Sequence, residues 1–176
     1  MTLVYITGTP GAGKTVVRDE LQRRGYTAYD TDEDGLAHYY NTETNELVHK
    51  HMSAEARTEE WRKTHAWKVP RSAVEKLHAE AANKLIFLSG VVANDFDELW
   101  DVFDKVIALT IDETTLRHRI TTRTTGDYGK NAHEFASLLA WQKTAMDKYR
   151  KRGAVIIDAT QPLDRVVDEI IRITKL

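Results

Sequence analysis

The chain has no cysteine. Thiolate nucleophiles, Cys-based zinc sites and disulfides are thereby excluded, although a disulfide-free protein is compatible with any compartment. Also missing is any apolar run near the roughly 20 residues that cross a bilayer, and the N-terminus leads straight into a first apolar strand. Neither signal peptide nor membrane anchor is expected, and cytoplasm is the default location. No charge sign dominates: 25 Lys and Arg stand against 27 Asp and Glu, a formal net charge of −2. General nucleic-acid binders are clearly basic, so nucleic acid is not an expected partner. The seven histidines show no metal-ligand spacing, and His49-Lys50-His51 would put its two rings on different helix faces, so no structural metal is expected. Repeats, low-complexity tracts and linkers are absent too. What remains, 176 residues of which 41% are hydrophobic, suits one domain over 1–176 with a sizeable core.

The most specific feature present is Gly8-Thr9-Pro10-Gly11-Ala12-Gly13-Lys14-Thr15, followed by Val16. It has the Gly-x-x-x-x-Gly-Lys-Thr form of a Walker A loop and lies between the apolar run Leu3 to Ile6 and a helix-like segment. The glycines let the chain curl so that several backbone N–H groups converge on one anion. Lys14 can then reach the β- and γ-phosphates, and the Thr15 hydroxyl can hold Mg²⁺. A turn between strand and helix needs glycine but not Lys and Thr directly after it. Nucleotide binding through residues 8–16 is the expected function of the segment.

Four short apolar runs, Leu3 to Ile6, Leu85 to Leu88, Val106 to Ile111 and Ala154 to Ile157, alternate with helical patterns. Runs apolar on both faces suit strands buried in a parallel sheet. A weaker strand, Thr27 to Tyr29, follows Gly25, which marks the end of a helix from about Lys14 to Arg24. Leu163, Val166, Val167, Ile170 and Ile171 form one apolar stripe on a final helix. This alternation predicts a three-layer α/β domain with the loop at the carboxyl end of the first strand. After the fourth strand, Asp112 can cap a helix that buries Leu116 and Ile120. At 100° per residue Arg119 and Arg123 fall together, turned toward the domain, while Arg117 points away.

The loop at the N-terminus, Tyr29-Asp30-Thr31-Asp32 after the second strand, the arginines near Arg119 and the Asp158-Ala159-Thr160 turn together resemble the small-molecule kinase branch of P-loop proteins, which includes adenylate, shikimate and gluconate kinases. The resemblance implies a five-stranded parallel sheet in the order 2-3-1-4-5, an acceptor-binding lobe over about 33–83 and a lid over about 119–131. It implies ATP and Mg²⁺ as cofactors and a small-molecule hydroxyl acceptor as partner, with the protein a monomer or homodimer. Shikimate kinases carry a similar Asp-Thr-Asp. By that resemblance Asp32 would bind or deprotonate the acceptor hydroxyl, and Asp30 would hold Mg²⁺ through water beside Thr15. The same acidic cluster could instead cap the next helix. Adenylate-kinase-like lids also place two arginines four apart, which implies Arg119 on the adenine and Arg123 on the phosphates. Lys14, Asp32 and Arg123 are then the catalytic candidates, with Gly126, Gly129 and Lys130 in the lid.

The departures from that pattern narrow the acceptor. The segment Gly35 to Tyr40, taken as the helix after strand two, has no arginine, and none lies between Asn131 and Tyr149. An acceptor phosphate lacks its usual grips unless Arg57, Arg62 or Arg71 supplies one. After the third strand the chain reads Leu88-Ser89-Gly90, and Ser89 is most simply a small residue that lets Gly90 approach the loop. Asn94 and Asp95 could read acceptor hydroxyls or cap a helix around Phe96 to Trp100. Trp61, His65 and Trp67 could stack on a ring or anchor a helix. A regulatory NTP-hydrolysing ATPase and a nucleic-acid 5′-hydroxyl kinase are the alternatives. The first would want an acid where Ser89 stands, the second a basic groove.

Overall fold

The computed structural model describes residues 2–48, 56–124 and 132–175, excepting the side chains of residues 133 and 134. The first apolar run forms β1 (Leu3–Gly8), in which all six residues are buried. It is followed by α1 (Lys14–Arg23), and the chain turns at Gly25 into β2 (Thr27–Asp30). A two-stranded antiparallel unit comes next, β3 (His38–Asn41) with β4 (His65–Lys68), which pairs Tyr39 with Trp67 and encloses α2 (Glu59–Thr64). Then come α3 (Arg71–Glu80), β5 (Ile86–Ser89), β6 (Lys105–Thr110), α4 (Glu113–Thr122), α5 (Ala132–Lys151), β7 (Val155–Asp158) and α6 (Leu163–Thr174).

The main sheet is parallel, in the order β2-β5-β1-β6-β7. Counting only its own strands, this is the expected 2-3-1-4-5. Alternation along β1 divides the core between the two faces. Val4 and Ile6 pack with Val17 and Leu21 of α1 and with Val166, Val167 and Ile170 of α6. Leu3 and Tyr5 face Val74 and Leu77 of α3 and Met146 and Tyr149 of α5. Burial on both faces explains why β1, β5 and β6 read as unbroken apolar runs.

Two local readings are corrected. Residues 38–40 form strand, not helix: Gly35 turns the chain at φ 66°, Ala37 donates its N–H to the Thr31 carbonyl (2.8 Å), and the run through Tyr39 and Tyr40 then pairs with β4. Asn94 precedes the next turn, but its side chain makes no cap hydrogen bond to it. Its amide donates to the Val69 carbonyl (2.9 Å) and to Glu98 (3.0 Å), while a π-helical turn over Asp95–Leu99 replaces the expected α-helix. His49, His51, Gly126, Gly129 and Lys130 lie outside the described residues.

Candidate active site

The phosphate loop lies where β1 ends and α1 begins, the point in an open parallel sheet where ligands meet strand ends. Gly8 (φ 145°) sits so tightly against β6 that a Cβ would lie 2.6 Å from the Leu109 carbonyl oxygen. No side chain caps α1, whose positive end is left facing the loop. Lys14 folds back over the loop, and its Nζ donates to the carbonyls of Gly8 (2.7 Å) and Thr9 (3.1 Å). Burial brings its ammonium down to about 8, with Asp30 and Asp32 pulling the other way. The Thr9 hydroxyl donates to Gln142 Oε1 on α5 (3.0 Å), and Gln142 Nε2 donates to the Ile111 carbonyl, so α5 holds the loop from behind.

A cavity of about 600 Å³ opens over this loop. Lys14, Thr15, Asp30, Asp32, Arg119 and Arg123 all line it. Pro10, Gly11, Gly13 and Val16 complete the loop side, while Gly8, Thr9 and Ala12 support it from below. The buried Asp30 is fixed at the end of β2. Its Oδ1 accepts the backbone N–H groups of Asp32 (2.9 Å) and Glu33 (3.2 Å), and its Oδ2 accepts the Ser89 hydroxyl (2.8 Å). Asp32 is exposed and is oriented by two donors to its Oδ1, the Thr31 hydroxyl (2.9 Å) and the Trp67 indole N–H (2.9 Å). Glu33, which also lines the cavity, pairs with the buried Arg18 of α1.

Arg119 braces the loop. Its Nη1 donates to the carbonyls of Gly11 (3.2 Å) and Ala12 (3.1 Å), and its Nη2 to that of Ala159 after β7 (2.8 Å). A narrow cavity of about 60 Å³ is lined by Arg119 together with Val16, Ala159 and Gln161. Arg123 stands at the end of α4, on the same cavity wall as Thr122. Arg117 faces elsewhere, pairing with Glu113 (3.0 Å) and lying 4.1 Å over the Phe135 ring. Of the lid expected over 119–131, residues 125–131 lie outside the described residues.

Two side chains at the site were not assigned these roles from sequence. Ser89 orients Asp30, and the close approach belongs to Gly90, where a Cβ would lie 2.2 Å from Thr31 Oγ1, beside Asp32 rather than against the loop. Trp67 belongs to an aromatic cluster in which Tyr39 lies 4.8 Å from Trp61 and 4.6 Å from Trp67, and Trp61 stacks on His65 at 4.2 Å. Trp67 also packs against the core around Leu3 and Tyr5, and its indole N–H donates to Asp32. Neither role was visible along the chain, since Ser89 is 59 residues from Asp30 and Trp67 is 35 from Asp32. Arg57, Arg62 and Arg71 do not line the 600 Å³ cavity among the described residues, and Arg71 is held by Glu75 and Asp101.

A glycine loop between a central parallel strand and a helix, with Lys and Thr at the helix start, defines a P-loop nucleotide-binding protein. Residues 4–158 match the AAA domain family, and the chain belongs to it. No match was found among curated proteins. Among solved structures, shikimate kinase from Acinetobacter baumannii in complex with shikimate is similar at TM-score 0.63 and 17% identity, over 99% of this chain and 93% of the other. Deoxyadenosine kinase from M. mycoides with bound dATP is similar at TM-score 0.59 and 17% identity, over 99% and 100%. A gluconokinase from Sinorhizobium meliloti 1021 is similar at TM-score 0.54 and 20% identity, over 96% and 88%. The fold is one that these small-molecule kinases share.

Proposed function

We propose that the chain is an ATP- and Mg²⁺-dependent phosphotransferase that moves the γ-phosphate to a hydroxyl of a small molecule. The observation that carries this reading is the shared cavity: Lys14 of the phosphate loop and the oriented carboxylate of Asp32 line the same space. In the reaction, the acceptor oxygen forms a bond to the γ-phosphorus as the bond to the β-phosphate bridging oxygen breaks. The hydroxyl proton passes to Asp32, and ADP leaves. Lys14 exchanges the Gly8 and Thr9 carbonyls for the phosphates. Arg123 meets the charge on the phosphoryl group in flight, and Arg119 lies against the base at the narrow cavity beside Ala159.

The donor set fits a hard cation. The Thr15 hydroxyl and the Asp30 carboxylate both line the cavity, and Asp30 keeps lone pairs beyond those its three donors use, so Thr15 would hold Mg²⁺ directly and Asp30 through water. The ion would supply charge neutralisation on the β- and γ-phosphate oxygens. On this reading residues 1–176 are one kinase domain, with 33–83 the acceptor lobe, working in the cytoplasm as a monomer or homodimer.

Asp32→Asn tests the assignment. Turnover should fall roughly 10²–10⁴-fold, the range for loss of a general base, while ATP affinity stays as in the unsubstituted protein. Loss of ATP binding together with turnover would place Asp32 with the metal instead.

A further inference from the structure

Beside the first cavity lies a second of about 330 Å³, at the lower end of the roughly 300–1,000 Å³ of small-molecule sites. The two share Val91 as a wall. The second is lined by the segment after β5 and by α5, which contribute Val92, Phe96, Trp141, Lys148, Tyr149 and Asp95. Asp95 is only 3% exposed. Its Oδ2 accepts the Tyr149 hydroxyl (3.1 Å), which meets the Thr7 hydroxyl of β1 (3.2 Å), one residue before the phosphate loop. Among the described residues Asp95 forms no ion pair.

The lining selects by charge. Asp95 is buried with no ion pair to offset the cost; Arg152, which lies over the Phe96 ring, favours its charge from beyond ion-pair distance, and a ligand donor lowers the remaining cost where a ligand anion raises it. Arg119 and Arg123 line the first cavity, and the Arg152 guanidinium lies over the Phe96 and Trp100 rings, at 5.5 and 5.7 Å, without lining the second among the described residues. The second has one cation among its described lining residues, Lys148, exposed on α5. Its walls are suited to the flat face of a ring. Phe96 stacks on Tyr149 at 4.7 Å, and Trp141 stays 38% exposed where it borders the opening. We propose that this second cavity seats the acceptor, and that the acceptor is a neutral or amine-bearing hydroxylated ring rather than a carboxylic acid or a phosphate ester. The ring packs between Trp141 and Phe96, a donor on it meets Asp95, and one hydroxyl passes Val91 to reach Asp32.

This inference rests on the phosphotransferase reading, and one experiment separates the two. The full chain, with ATP and Mg²⁺, is offered deoxyadenosine, glucose and glucosamine, and separately gluconate, shikimate and adenosine 5′-monophosphate. ADP and phosphorylated product are both measured. At least one member of the first set should be phosphorylated and none of the second. Asp95→Asn, which keeps the shape and an acceptor for Tyr149, should raise the KM of that ring about tenfold or more, as loss of a hydrogen bond to a charged group does, with the KM of ATP unchanged. Trp141→Ala, a surface change that spares the fold, should do the same. Preference for the acids or the monophosphate overturns the acceptor proposal and leaves the kinase standing. So does turnover of none of the rings while ATP binds, or an Asp95→Asn protein with unaltered KM. ADP release that every compound leaves unchanged, with inorganic phosphate the sole other product, overturns the phosphotransferase reading itself.

Discussion

In the proposed reaction Lys14 ties nucleotide binding to pH. Burial holds its ammonium near 8 in the nucleotide-free protein, well below the ordinary lysine value. Phosphates bind the charged form, so bound nucleotide raises that value again. The sign follows from linkage: below pH 8 the ammonium is already charged and affinity is flat, whereas above it binding must take up a proton and weakens about tenfold per pH unit. Calorimetric ATP titrations between pH 6.5 and 9.5 should show this break, and Lys14→Ala should bind weakly with the break gone. A slope unchanged by the substitution would remove Lys14 from the phosphates. Trp67 is the other decisive residue. Trp67→Phe keeps the aromatic packing but deletes the N–H that Asp32 accepts at 2.9 Å. Loss of one donor to a charged group should lower kcat about tenfold or more, with the KM of ATP unchanged. Equal kcat in the two proteins would make the indole a packing element alone.

At the scale of elements, Gly90 shows how the end of β5 sets the spacing of the site. Any Cβ there would strike Thr31, whose hydroxyl orients Asp32. Overpacking of this kind costs about 1–3 kcal/mol, so Gly90→Ala should lower Tm by roughly 2–12 °C and turnover with it. A thermal scan matching the parent would mean the neighbouring strand end yields freely. α4 makes the complementary point from the nucleotide side. Arg119 already holds three loop and turn carbonyls, so Arg119→Ala should weaken ATP binding both by loosening the loop and by removing a face for the base. Saturation kinetics should show the loss chiefly in the KM of ATP, and an unaltered KM would reduce Arg119 to a surface charge. Strands β1, β5 and β6 were legible because burial on both faces leaves an apolar run that nothing else requires, whereas the strand order came only from the family resemblance. Strands β3 and β4 were not, because their pairing spans 38–41 to 65–68 and a half-exposed aromatic ladder has no clean two-residue alternation.

Across the whole molecule, the phosphate loop could be read from eight consecutive residues because its chemistry is local. The site around it was readable only in pieces. Asp30 and Asp32 stood out as a pair, but their donors Ser89 and Trp67 come from β5 and β4, distant in sequence, and a serine or a tryptophan carries no local mark of its partner. Gln142 is similar: it joins Thr9 to Ile111 across three elements and resembles any polar residue on a long helix. The Asp95 network with Tyr149 and Thr7 likewise exists only once β1, α5 and the 95–99 turn are packed together. The fate of the γ-phosphate distinguishes a phosphotransferase from a hydrolase, and one assay follows it directly. ADP released and phosphomonoester formed are counted in the same reaction, across nucleosides, sugars, hydroxy acids and aminoglycosides. One phosphomonoester per ADP is expected for at least one acceptor, with both products lost in Lys14→Ala. ADP accompanied by inorganic phosphate alone, at a rate indifferent to every acceptor, would rule out a phosphotransferase.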